Sequence, residues 1–137
     1  MTCELCDQIG GTLLWQDETC RVVQVADADY PGFCRVIWKD HVQEMTDLSV
    51  AERERLMAIV CAVETTIRAT LHSDKINLAC LGNMTPHLHW HIIPRFKQDK
   101  HFPQPVWGEA QREGKSSLPT GWQVQLMESV RTALDTK

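Results

Sequence analysis

The sequence predicts an α+β fold, with an antiparallel sheet of about five strands, one long helix and a C-terminal helix. Three observations predict it. Short runs rich in β-formers lie on both sides of one long helical stretch, without the βαβ alternation of a parallel sheet. That stretch carries an apolar stripe at helical spacing. Around Trp90 the pattern switches to strict alternation, the mark of a strand with two unlike faces.

The elements follow in order. Leu13-Leu14-Trp15 reads as a first strand, Asp17-Glu18 as a turn and Cys20 to Val25 as a second strand. Asp27 to Gly32 is dense in turn residues and reads as a loop. Phe33 to Trp38 is a third strand. Ser49 and Glu52 have the spacing of a capping box. Leu56, Ile59, Val60, Val63 and Ile67 then recur at three- and four-residue steps, which predicts a helix packed on the sheet. Ile76 to Leu81 reads as a fourth strand, Gly82 to Pro86 as a turn, and His87 to Ile93 as a fifth strand ended by Pro94. Lys97 to Thr120, with Pro103, Pro105 and Pro119, reads as an extended arm, and Trp122 to Leu134 as a final helix.

Size and charge bound the function. A chain of 137 residues has the size of one domain, 1–137, and is long enough to be stable without disulfides. The formal net charge of -4 argues against an extended nucleic-acid surface, but not against a small anion held by local positive charge. No apolar run approaches the ~18 residues of a membrane span. Met1 to Asp7 lacks the basic and apolar regions of a signal peptide, so a cytoplasmic location is expected. The six cysteines then read as reduced thiols or metal ligands. Cys20, Cys34, Cys61 and Cys80 suit small apolar core positions. His72 and His101 are expected on the surface.

His87, His89 and His91 alternate with Leu88, Trp90 and Ile92. In a strand the three imidazoles share one face, about 7 Å apart at each step. The apolar residues fill the other face, which the long helix can cover. Three imidazoles in a row are a costly way to pack a strand, because each brings two nitrogens that need partners. Two chemistries suit such a face. One is covalent catalysis, in which a neutral imidazole attacks phosphorus while its neighbours orient it and bind the oxygens. The other is a metal-dependent hydrolase in which the histidines hold the ion and leave a position open for water. A nucleotide-binding module without turnover is a third reading.

The run His87-Leu88-His89-Trp90-His91-Ile92-Ile93, followed by Pro94-Arg95, resembles the pattern that names the histidine triad (HIT) family. Cys3 and Cys6, Pro31-Gly32, Lys39-Asp40-His41 and the long helix occur in that family's order, so the resemblance covers a core of about residues 3–96. Residues 97–137, the arm and the last helix, lie beyond it. The resemblance implies an antiparallel α+β fold, a homodimer and a nucleotide substrate. It implies hydrolysis of a phosphoanhydride or phosphoramidate, or nucleotidyl transfer, needing no cofactor for the chemistry. His89 would attack the α-phosphate and form a nucleotidyl-histidine. His91 would bind the phosphate oxygens and His87 would orient the nucleophile. Asn83 and Thr85 would lie beside the phosphate, Asn77 and Asp27 beside the ribose. The chain departs from the pattern at Phe33, where many relatives have a further histidine after Pro-Gly. Phe33 there would stack on a base or fill core.

Cys3-x-x-Cys6 supplies two thiolates at zinc-knuckle spacing. The resemblance, to the galactose-1-phosphate uridylyltransferase branch among others, implies that His41 and His87 complete a structural zinc site. In the arm, Phe102, Pro103, Pro105, Val106 and Trp107 are expected to pack across a dimer interface or back over the chain's own sheet.

Overall fold

The computed structural model describes residues 2–135. Strands β1 (Thr12–Gln16), β2 (Cys20–Gln24), β3 (Cys34–Trp38), β4 (Lys75–Ala79) and β5 (His89–Arg95) form one sheet in the order β1-β2-β3-β5-β4. Every pairing is antiparallel. Helices α1 (Glu4–Asp7), α2 (Val50–Leu71) and α3 (Trp122–Asp135) accompany it.

The fourth and fifth strands differ from the sequence reading. The fourth ends at Ala79, so Cys80 and Leu81 belong to the turn, and the fifth starts at His89 and runs through Pro94 to Arg95. Pro94 is tolerated for a geometric reason. The carbonyl of Arg95 accepts from the Asp74 amide at 3.0 Å, so Arg95 faces β4 and Pro94 faces the β3 side. Pairing with β3 has already ended at Cys34↔Ile92, so the N–H that proline lacks has no ladder to serve there.

The two faces of the sheet are dressed differently. Val22, Cys34, Val36, Trp38, Ile76, Leu88 and Ile92 meet α2 in the main core. Helix α2 starts where the spacing predicts. The Ser49 hydroxyl accepts from the Glu52 amide at 3.1 Å, and the Glu52 carboxylate accepts from the Ser49 amide at 2.8 Å. Leu56, Ile59, Val60, Val63 and Ile67 are all fully buried. His72 closes the helix in the left-handed region, with φ of 53°. Helix α3 packs on α2 and β1, with Leu126, Val130 and Leu134 buried.

Local coverings protect the opposite face. Leu5 of α1 packs on Val23 and Ile37 at one end. Tyr30, Phe33 and Ile93 form a second cluster, with Val106 of the arm against it. Gly32, just before Phe33, lets the chain pass close to the end of α2 and to Pro94. Its φ is +91°, and a Cβ there would meet Leu71 Cδ1 at 2.4 Å and Pro94 Cγ at 3.2 Å. Arg95 and Asp99, 2% and 4% exposed, pin the arm. Arg95 donates to both Asp99 carboxylate oxygens (2.7 and 3.0 Å), to the Asn77 side-chain oxygen (2.8 Å) and to the Gln104 carbonyl (2.7 Å). His101 is held against the Tyr30 hydroxyl and half-buried, where a surface position was expected. Cys20 and Cys34 are buried as expected, whereas Cys61 is exposed and Cys80 half-buried. Among the described residues no helix is long and apolar enough to cross a membrane.

A candidate active site beside a candidate metal centre

The alternating histidines divide between two sites. His89 and His91 project from β5 on the face away from α2, their ring centroids 4.9 Å apart. Both line a cavity of about 630 Å³, whose walls include Arg35, Asn83, Thr85 and Trp107. A cavity of this size accommodates a small-molecule ligand. His87 precedes the strand and its ring turns instead toward α1.

One hydrogen bond sets the chemistry of His89. Its Nδ1 lies 2.5 Å from the His87 carbonyl oxygen. A carbonyl only accepts, so Nδ1 carries the proton and Nε2 keeps the lone pair. Burial pushes the His89 pKa below its ordinary value, and the Arg35 and His87 charges add to this against the carbonyl's opposing pull. His91 is pushed down to about 4, first by burial, then by His89 and Arg35. Both imidazoles are therefore neutral at pH 7, the form in which a nitrogen lone pair is available. The His91 Nδ1 is buried without a hydrogen-bond partner among the described residues. The rings of Phe33 and Trp107 each make a T-shaped contact with the His91 ring, at centroid separations of 5.5 Å.

Both ring nitrogens of His87 are committed. Nε2 donates to the Trp38 carbonyl at 2.6 Å. Nδ1 lies 3.4 Å from Cys3 Sγ, 3.5 Å from Cys6 Sγ and 3.2 Å from His41 Nδ1. Cys6 Sγ and His41 Nδ1 are 3.5 Å apart, and the four donor atoms all lie within 4.8 Å of one another. The four spacings of 3.2 to 3.5 Å match edges about a tetrahedral ion. Zinc bonds of about 2.3 Å to sulfur and about 2.0 Å to nitrogen set S···N edges of about 3.5 Å and N···N edges of about 3.3 Å. The Trp38 hydrogen bond fixes the His87 tautomer that leaves Nδ1 for a metal. A catalytic ion held by all three alternating histidines loses its third ligand in this geometry.

A model of the HIT domain matches residues 7–98, more than half of the chain. The chain belongs to the HIT family. Solved HIT structures agree in fold. A histidine triad protein from Bradyrhizobium japonicum is 26% identical, with a TM-score of 0.76 over 98% of this chain and 96% of that one. One from Marinobacter aquaeolei VT8 is 24% identical, with a TM-score of 0.76 over 99% and 96%. A Zn-bound histidine triad family protein from Mycobacterium smegmatis is 20% identical, with a TM-score of 0.71 over 100% and 99%. No curated protein matches the chain.

In this HIT chain the other residues singled out from sequence fall unevenly. Asn83 and Thr85 line the cavity with His89 and His91. Asn77 and Asp27 do not. The Asn77 side-chain oxygen is taken by Arg95, and an Asp27 carboxylate oxygen accepts the Asp29 amide at 3.0 Å. Phe33 is buried behind His91 and outside the cavity lining. Sequence reasoning missed Arg35 and Trp107 as cavity residues. Arg35 had a legible signal, a cation between apolar residues in a strand, whereas Trp107 reaches His91 only because the arm folds back.

Proposed function

We propose that this HIT chain is a nucleotide hydrolase or nucleotidyl transferase that works through a covalent nucleotidyl-histidine on His89. The observation carrying this reading is the His89 Nδ1–H bond to its own chain at His87, which leaves Nε2 as the nucleophilic nitrogen in a cavity shared with neutral His91. Nε2 donates its electron pair to the α-phosphorus, and the bond from phosphorus to the leaving group breaks with its electron pair going to that group. The group departs as a phosphate anion or, from a phosphoramidate, as an amine that takes its proton from water. The imidazole then carries the nucleotidyl group on Nε2 and the proton on Nδ1, where the His87 carbonyl stabilises the positive charge that develops. Asn83, Thr85 and His91 surround the phosphate oxygens. Water or another acceptor next attacks phosphorus, the N–P electron pair returns to Nε2, and the acceptor's proton goes to solvent.

Cys3, Cys6, His41 and His87 hold a structural zinc in this reading, supported by the convergence of their four donor atoms and by the Zn-bound relative from Mycobacterium smegmatis. When bound, the ion supplies a closed four-ligand clamp. Its four protein ligands tie α1 to the start of the strand that carries His89.

The test is a covalent adduct. The purified chain is incubated with a nucleoside phosphoramidate and a dinucleoside polyphosphate for each of the four common bases, quenched without acid, and examined by mass spectrometry. A nucleotidyl mass on the peptide containing His89 supports the reading. A tight nucleotide complex with neither adduct nor product rejects it in favour of a binding module.

A further inference from the structure

Arg35 stands in the wrong company for a strand residue in a packed sheet. Its neighbours Cys34 and Val36 are 0% exposed in the core under α2, and its cross-strand partner is His91. Its side chain therefore lies on the histidine face and lines the same cavity as His89 and His91. The Nε is buried with no hydrogen-bond partner among the described residues, and the guanidinium has no ion pair there. Arg95 on the same face shows the contrast, with its donors matched to Asp99, Asn77 and Gln104. Glu4 at the cavity wall is the acidic charge that Arg35 feels, without an ion pair between them. The guanidinium carbon lies over the Phe33 ring, 5.8 Å from its centroid, and that contact satisfies none of the N–H groups.

A half-buried cation with unmet donors is costly unless a ligand completes it. A planar fork of donors fits the paired oxygens of a phosphate. The α-phosphate already has neutral His91, Asn83 and Thr85 around it. An unneutralised charge adds most where a second phosphate sits, next to the reacting one.

We infer that Arg35 is a specificity-determining residue that binds the phosphate adjacent to the α-phosphate, which selects phosphoanhydrides over phosphoramidates as substrates. This rests on the nucleotidyl-histidine reading for its step but not for its binding. When His89 Nε2 bonds to the α-phosphorus, the bridging P–O bond breaks and its electron pair stays on the departing phosphate. That phosphate leaves as an anion, with no proton required, and Arg35 meets its charge. An amine leaving group needs a proton instead, which a guanidinium does not release.

Two measurements test it on the full chain. The first is affinity for a nucleoside 5′-diphosphate against the matching monophosphate, by calorimetry. Wild type binds the diphosphate more tightly, and Arg35→Met loses about 30-fold of that preference, as expected for charged hydrogen bonds. The second is the ratio of kcat/KM for a dinucleoside 5′,5′-triphosphate to that for a phosphoramidate of the same base, which falls by a similar factor. Should the methionine variant not fold, Arg35→Gln is read the same way. An unchanged preference in both measurements overturns the inference, and so does an equal loss on both substrate classes. Absence of any His89 adduct in wild type sinks the covalent reading alone, because the binding preference is measured without turnover.

Discussion

The carbonyl oxygen of His87 accepts the Nδ1–H of His89 at 2.5 Å, while the His87 ring turns away to Cys3, Cys6 and His41. Two residues apart in one motif, these histidines serve different sites. The backbone of one sets the tautomer of the other, and its side chain anchors the candidate metal centre.

His89→Ala is expected to keep the fold and to lose on the order of 10⁴ or more in turnover, as other nucleophile deletions do. Steady-state kinetics beside circular dichroism checks this. Turnover near wild type would assign the nucleophile elsewhere.

The metal centre predicts about one zinc per chain by atomic emission, and Cys3→Ala is expected to abolish it. Chelation of wild type is expected to lower Tm markedly, because α1 is only four residues long and gains little from its own hydrogen bonds. Brief chelation below the new Tm is expected to leave turnover largely intact. Immediate loss of turnover, restored by added metal, would instead mean that the ion takes part in the chemistry.

Asp99 is the fulcrum of the arm. Burial pulls its carboxyl up, and the Arg95 ion pair with the Phe96 and Phe102 amides more than offsets this. Asp99→Ala leaves Arg95 buried and uncompensated, at an expected cost of about 3–5 kcal/mol. Removing both charges together, as Arg95→Met with Asp99→Leu, is expected to recover much of that loss. Urea denaturation of the three variants measures it, and equal destabilisation of single and double variants would show that the pair's charge is not the issue.

The His91 pKa gives stability a pH slope. Folded His91 titrates at about 4, below the roughly 6.5 of an unfolded histidine. Between those values the unfolded chain binds a proton that the folded chain does not. Stability is thus flat with respect to His91 above about pH 6.5 and falls as pH drops toward 4. His91→Phe is expected to flatten part of this slope in denaturation midpoints taken from pH 7.5 to 4.5. A parallel pH profile for the two proteins would remove His91 as its source.

What the sequence determined by itself was local. The alternation around Trp90 placed His89 and His91 on one face with Leu88 and Ile92 opposite, because side chains alternate along any strand. Ser49 and Glu52 set the start of α2 because a capping box closes within four residues. Family membership was legible for the same reason, since the histidine motif is contiguous. Tertiary structure alone decided which partner each of these groups met. His87 left the shared site because Cys3 and Cys6 arrive from more than eighty residues away. Pro94 stayed in its strand because β3 had already ended beside it. Asn77 meets Arg95, and Trp107 meets His91 on the arm that Asp99 pins to Arg95. Periodicity reports the direction of a side chain relative to its own backbone. The identity of what waits there depends on chain closure over tens of residues, which no local pattern encodes.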